Sequence, residues 1–283
     1  MITMRINNNI GALNAQSNVN KNNNAVANRL EKLSSGKRIN KAADDAAGLA
    51  ISEKMRTSIL GTMAASRNTQ DAVSLIQVAE GGLSSMQGML QRARELALQS
   101  ANGPNDDAVD RNAIQGEFAS IVNELDDTTS TTQFNGMNIL DGTADPVTIQ
   151  AGPNAGDTVD IKIDGMTAQS LLGLSGSEYN AETDANLASS AAASSSLDTI
   201  DNAINDISTQ RAELGAMQNR LEFRMQALDI QAENATAANS RIRDTDMAKM
   251  MSELTAKNIL QKASTAMLAQ ANARPQNIVG MLG

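Results

Sequence analysis

Apolar side chains recur near the start of the chain at Ile6, Ile10, Leu13, Val19, Val26, Leu30 and Leu33, mostly at helical steps. The spacing predicts an amphipathic helix from Ile6 to about Leu33, which Ser34, Ser35 and Gly36 bring to a stop. Its many asparagines, Asn7, Asn8, Asn9, Asn22, Asn23 and Asn24, weaken its intrinsic helix propensity. Asp44 and Asp45 are placed to cap a second helix that continues to about Ala101 and stops at "NGPND". Within it, Ile76, Ala79, Leu83, Met86, Leu90, Ala93, Ala97 and Ser100 alternate steps of three and four, the spacing of a coiled-coil seam. Gly81, Gly82 and Gly88 interrupt that helix and suggest close backbone packing or pliancy.

A third helix is expected from about Asp107 to Asp127, with Ile114, Phe118, Ile121 and Leu125 on one face. Asn135-Gly136 signals a turn. Two alternating runs follow, Val147, Ile149, Ala151 and then Val159, Ile161, Ile163, joined by "GPNAGD", and they predict a small β-hairpin. The Ser- and Ala-rich stretch from about Ser175 to Ser196 has little to pack and reads as a loop giving way to a helix. The cleanest period comes next: Leu197, Ile200, Ile204, Ile207, Arg211, Leu214, Gln218, Leu221, Met225, Leu228, Ala232, Ala235, Asn239 and Ile242 keep strict three-four alternation. Arg211, Gln218 and Asn239 are polar interruptions that set register at some cost in stability. "RDTDMA" breaks this helix and caps a final one. There Met247, Met250, Met251, Leu254, Ile259, Leu260, Ala263, Met267 and Leu268 lie nearly all round, which predicts burial on several sides, and Pro275 is expected to end the helix.

The fold class is therefore mainly α, with long coiled-coil-like helices from both chain ends and a small β-hairpin region in the middle. The expected domains are an N-terminal helix and connecting spoke at 1–43, a rod-like helical domain at 44–243 with its hairpin at about 134–175, and a C-terminal helix at 244–283.

Composition sharpens this picture. With one Tyr, three Phe and no Trp in 283 residues, a thick multilayer core is hard to fill, whereas slender helix pairs with Ala and Leu seams need no aromatics. The absence of Cys and His removes thiol nucleophiles, imidazole bases, the usual zinc ligands and disulfides. A net charge of −9 with no basic cluster argues against a nucleic acid partner. No apolar run is long enough for a membrane span, and "MITMRINNNIGALNAQ" lacks the apolar core of a cleaved signal peptide. If the chain leaves the cell, a dedicated export machine is implied.

A search for catalysis finds nothing specific, and no catalytic, cofactor or metal residue is assigned. Asp44-Asp45, Asp106-Asp107 and Asp126-Asp127 are acidic pairs suited to helix starts. "GLSGSEYN" has a Gly-x-Ser pattern without a base or the strand-to-helix setting of a nucleophile elbow. The first helix is marginal by itself. Burial of its aliphatic side chains gives roughly 2 kcal/mol each, while ordering the segment costs about 1 to 2 kcal/mol per residue. Terminal helices of this kind order when neighbours cover their other faces. A soluble coiled-coil adaptor that binds an intracellular partner is one reading of such a chain.

Three segments carry a family resemblance: "RLEKLSSGKRINKAADDAAGLAISEKMR" at 29–56, "GMLQRARELALQSA" at 88–101 and "LAQANARPQNIV" at 268–279. Lying in order at both ends, they resemble bacterial flagellin, the subunit of the flagellar filament, and the likeness extends over nearly the whole chain. Too few residues separate the hairpin from the C-terminal helices to hold the outer domains of large flagellins, so the chain resembles a short form. The hook–filament junction protein shares this plan, but the C-terminal tail favours flagellin.

The resemblance implies a helical homopolymer for swimming motility, extracellular, exported without a cleaved signal peptide and without cofactors. It also implies an export chaperone, the filament cap and hook-junction proteins as partners, with animal or plant innate immune receptors as further ones. Carried over by residue, Gln91, Arg92, Glu95, Leu96 and Glu117 match a face used for subunit packing and animal receptor recognition. Ile6, Ile10, Leu13, Leu30, Leu33, Leu254, Leu260, Met267, Leu268 and Ile278 fall in the inner-core assembly helices. Residues 31–52 look like the peptide sensed by plants, retaining Gly36, Arg38, Asp44, Asp45, Gly48 and Leu49 and departing at Lys37, Lys41, Ala43 and Ala50.

Overall fold

A computed structural model describes residues 8–103, 109–143, 146–173 and 187–282, with side chains as far as 274. Ile6, Asp106-Asp107, residues 174–180 of "GLSGSEYN" and the Ile278 side chain lie outside the described residues. Among the described residues there are six helices: α1 (Ile10–Ser35), α2 (Ala46–Ala101), α3 (Asp110–Thr131), α4 (Ala168–Leu172), α5 (Ser190–Arg243) and α6 (Met247–Leu282). Strands β1 (Gln133–Phe134) and β2 (Met137–Asn138) form one antiparallel pair, and β3 (Val147–Gln150) and β4 (Thr158–Ile161) another. The chain is mainly α with a small β region, as its periodicity predicts. It divides into two compact units, a terminal one of Met1–Ser58 with Glu233–Gly283 and a central one of Ile59–Ala232. Both boundaries fall inside helices, α2 and α5.

The central unit holds the larger core. The α2 seam from Ile76 to Ser100 is buried at each of its expected positions. On α5, burial repeats at Ile200, Ile207, Leu214, Leu221 and Leu228, one residue per heptad. Of the polar seam positions, Arg211 and Gln218 are half-buried beside this stripe, and Arg211 donates to Glu80 at 3.5 Å and to Gln87. From α3 come Ile114, Phe118, Val122 and Leu125, with Phe118 fully enclosed. The hairpin pairs Val147 with Ile161 and Ile149 with Val159, and turns Val159 and Ile161 inward. Asn135 and Gly136 carry φ of 51° and 78°, the left-handed pair that a two-residue turn between β1 and β2 requires.

Two features of this unit escape the sequence pattern. Helix α4 is too short to show a period. It is made by local caps, with the Thr167 hydroxyl accepting from Ser170 N at 3.2 Å and Gly173 left-handed at φ 66°. Arg111, buried at the start of α3, donates to the carbonyls of Ser100 at 2.8 Å and Asn102 at 2.9 Å, and so closes the C-terminal end of α2. The three glycines of α2 also part company. A Cβ on Gly82 would lie 2.8 Å from Leu140 Cδ1, whereas none on Gly81 or Gly88 would meet an atom within 4 Å. Close packing explains Gly82 alone.

In the terminal unit, Gly36 at φ 67° ends α1 after Ser35. Asp45 alone caps α2, its Oδ1 accepting from Gly48 N at 2.9 Å; Asp44 instead holds the preceding turn. Asp246 caps α6, accepting from Lys249 N at 3.1 Å. Two expectations for α6 are corrected. The helix does not stop at Pro275 but continues to Leu282. Nor is it buried all round: Met250 and Leu254 are covered, while Met247, Met251, Ile259, Leu260 and Met267 are exposed.

Candidate interaction surfaces

On the central unit, Arg92 of α2 reaches across to Glu117 of α3, with Nη2 at 2.7 Å and Nε at 2.9 Å from the same Oε1. Its Nη1 donates to Glu95 Oε2 at 3.0 Å, so one guanidinium is held by two carboxylates. These bonds, first Glu117 and then Glu95, raise the Arg92 pKa further above its ordinary value. Gln91, Arg92, Glu95 and Glu117 are exposed together, forming a charged patch with fixed geometry. Leu96 does not join them. It is only 1% exposed, part of the core beside Leu90, Ala93 and Ala97. Helical spacing alone puts Arg92 and Leu96 on one side, but a burial boundary runs between them.

On the terminal unit, α1 packs against α6, with many Cα pairs within 8 Å. The inward edge of α1 is Ala12, Ala15, Val19, Asn22, Val26, Arg29 and Leu33, itself a three-four alternation, and all are half-buried or buried. The matching edge of α6 is Met250, Leu254, Lys257, Gln261, Ser264, Leu268 and Ala271, again half-buried or buried.

Polar rungs cross the seam. Asn9 Nδ2 donates to Ala271 O at 2.9 Å, Asn22 Nδ2 to Ser264 Oγ at 2.9 Å and Gln261 Nε2 to Asn23 Oδ1 at 2.8 Å, and Arg29 pairs with Glu253 at 3.2 Å. Three of the asparagines that weaken α1 as an isolated helix, Asn9, Asn22 and Asn23, therefore also fasten it to α6. The sequence pattern of apolar residues mixes two faces: Val19, Val26 and Leu33 point inward, whereas Ile10, Leu13 and Leu30 point away from the partner helix. Leu13 is 67% exposed and Met267 65%. Of the candidate assembly residues, Ile10, Leu13, Leu30, Leu260 and Met267 are exposed; Leu33 and Leu268 are half-buried, and Leu254 is buried.

The turn between α1 and α2 is tied in place within the same unit. Gly36 O accepts from Thr245 N at 3.0 Å, Arg38 N donates to Arg243 O at 2.7 Å, and Arg38 Nη2 donates to Ile242 O at 2.7 Å. Arg243 in turn pairs with Glu53. Asp44 accepts from the backbone N–H groups of Asn40 and Lys41, each at 3.2 Å, and pairs with Lys32 at 2.8 Å. The bond from Lys32, followed by those from the backbone, holds the Asp44 carboxyl down at about 2. Among the described residues, no group of acidic side chains is arranged to hold a metal ion, and no helix is long and apolar enough to cross a membrane.

Both surfaces fall within regions shared with known proteins. Residues 6–145 match the bacterial flagellin N-terminal helical region, and residues 197–282 match the bacterial flagellin C-terminal helical region. Flagellin of Bacillus subtilis strain 168 is 47% identical over 99% of this chain and all of its own length. The flagellar filament 30.7 kDa core protein of Treponema maltophilum is 44% identical, again over 99% of this chain and all of its own. Among solved structures, Bacillus cereus flagellin is 34% identical with a TM-score of 0.50, covering 61% of this chain and 94% of its own. A flagellar hook-associated protein from Vibrio parahaemolyticus, 17% identical with a TM-score of 0.58 over 71% of this chain and all of its own, shares the fold. With both terminal helical regions matched and full-length relatives at this identity, the chain belongs to the bacterial flagellin family.

Proposed function

We propose that this chain is the structural subunit of an extracellular flagellar filament for swimming, and that it assembles through the outward faces of α1 and α6. The observation that carries this reading is the inverted pairing of the two helices. They meet through a seam that mixes aliphatic residues (Val19, Val26, Met250, Leu254) with small and polar ones, and they turn Ile10, Leu13, Leu30, Ile259, Leu260 and Met267 outward. Exposed apolar surface on this scale is costly in water and is covered by another molecule. A second copy of the same chain, placed by a contact that does not close on itself, gives an open helical polymer. The segments 1–43 and 244–283 then serve as the assembly elements, reaching their final order as neighbours cover them. Because α1 is half of this pair, export leaves it uncleaved. The role is structural rather than enzymatic.

Seeded polymerisation of the purified chain, read by sedimentation and negative-stain microscopy, tests the reading. Parental protein is expected to give long filaments, and Leu13→Glu or Met267→Glu to stay in the supernatant with an unchanged circular dichroism melt of the central unit. Normal filaments from both variants would refute the assignment.

The patch of Gln91, Arg92, Glu95 and Glu117 serves, in the same reading, as an axial subunit contact and as the face recognised by the animal receptor. Assembly then hides what the monomer exposes. The bonds that tie Gly36 and Arg38 into the terminal unit mean that a plant receptor meets this segment only once it is released from the fold. An export chaperone fits the apolar side chains of α6 before assembly, and cap and junction proteins fit the same faces at the filament ends.

A further inference from the structure

Helix α6 contains one proline, Pro275, and runs through it. In an uninterrupted helix the N–H of residue 275 would donate to the carbonyl of Ala271, four residues earlier. Proline has no N–H, so that carbonyl loses its backbone partner. Ala271 is half-buried on the seam, where an unsatisfied carbonyl is costly. The Asn9 carboxamide supplies the missing donor, with Nδ2 at 2.9 Å from Ala271 O. Its other atom, Oδ1, accepts from Ala12 N at 3.0 Å and caps the first turn of α1.

We infer that Asn9 is a positioning residue for assembly: one side chain starts α1 and closes the gap that Pro275 opens in α6, and so sets the register of the pair. This rests on the proposal that the α1–α6 pair is the assembly element. The chemistry is selective. Asp offers the capping acceptor but no donor, and Ala offers neither. The register is selective too, because a slide of one heptad would set Asn9 against a carbonyl that α6 already satisfies and leave Ala271 O bare. The other rungs discriminate less: Gln261 meets the Asn23 side chain, and Asn22 meets Ser264 Oγ and, at 3.4 Å, Leu260 O, a carbonyl whose helical donor, the N–H of Ser264, is not removed by a proline. A shifted pair would present Ile10 and Leu13 at the wrong height to a neighbouring copy.

The test uses the full chain in seeded polymerisation, read as the critical concentration. Asn9→Asp keeps the cap and removes the donor, and it is expected to raise the critical concentration about tenfold, the equivalent of one hydrogen bond to a half-buried group. Pro275→Ala restores the N–H at 275 and is expected to bring the Asn9→Asp chain back to within about twofold of its single-variant parent. The same change should not rescue Asn22→Asp. Parental behaviour from Asn9→Asp, or a double variant no better than Asn9→Asp, overturns the inference while leaving the filament reading intact. Failure of the parental chain to polymerise overturns both. Should Pro275→Ala by itself block polymerisation, solid-state NMR of parental filaments decides instead. A dipolar contact between the labelled Asn9 side-chain nitrogen and the Ala271 carbonyl carbon is expected, and its absence overturns the inference.

Discussion

Leu96 and Arg92 lie four residues apart on α2, yet they answer to different forces. Truncating Leu96, enclosed in the core, removes packing that nothing replaces. Leu96→Ala is therefore expected to cost the central unit roughly 2 to 5 kcal/mol. Arg92→Ala breaks only solvent-exposed ion pairs and should leave the melt close to parental, both read by urea denaturation. An Arg92→Ala chain with a parental melt but weakened filaments would place the residue at a subunit contact; one with parental filaments would leave it a solvated helix face. Asp44 gives a second residue-scale expectation. Its carboxyl is held at about 2, below the ordinary 3.8, so the unfolded chain takes up the proton first as pH falls. The stability it contributes is full above about pH 4 and is lost between about pH 4 and pH 2. Protease cleavage in the 37–45 turn should rise across that window, and Asp44→Asn should flatten the response. The caps at Asp45 and Asp246 were legible in the sequence because they are local, whereas Asp126-Asp127 lie near the C-terminal end of α3, and Asp126 Oδ1 accepts from Ala168 N at 2.8 Å, at the start of α4. The division of labour between Asp44 and Asp45 was not legible, because it depends on Lys32 folding back from the preceding helix.

At the scale of elements, period carried most of the information. The α2 and α5 seams were readable because burial on one stripe imposes a repeat, and the hairpin because alternation and turn chemistry agree. Reading failed where polar atoms do the joining. The α1 seam contains Asn22 and Arg29, so an apolar count picks out the wrong face in part, and α6 continues past Pro275 with Asn9, the cap of α1, donating to Ala271 O. The glycines of α2 offer a direct test at this scale. Gly88→Ala meets no atom within 4 Å and is expected to stabilise the central unit by up to about 1 kcal/mol through helix propensity. Gly82→Ala would press on Leu140 in the core and on half-buried Thr132, and is expected to destabilise the unit instead. Thermal melts of the two variants moving in the same direction would refute the distinction.

Across the whole molecule, burial is distributed unevenly between the two units. The main apolar cluster, from Ala72 through Leu221, belongs entirely to Ile59–Ala232, where α2, α3, α5 and the β3–β4 hairpin enclose one another's side chains. The terminal unit buries Val19, Ile39, Met250 and Leu254 but exposes a longer set of large aliphatic side chains. A unit of this kind opens at low cost, since local opening tracks the number of buried apolar contacts. Limited trypsin digestion of the monomer is therefore expected to remove the terminal segments and leave a resistant fragment close to 59–232. In polymer, where neighbours cover α1 and α6, the full chain should persist under the same digestion. Deleting Leu268 to Gly283 should abolish polymerisation while leaving the resistant fragment and its melt unchanged, because that deletion touches none of the central cluster. Equal protection of the termini in monomer and polymer would show that they are folded before assembly. The apolar faces would then act as ready-made contacts rather than as surfaces whose burial completes the fold.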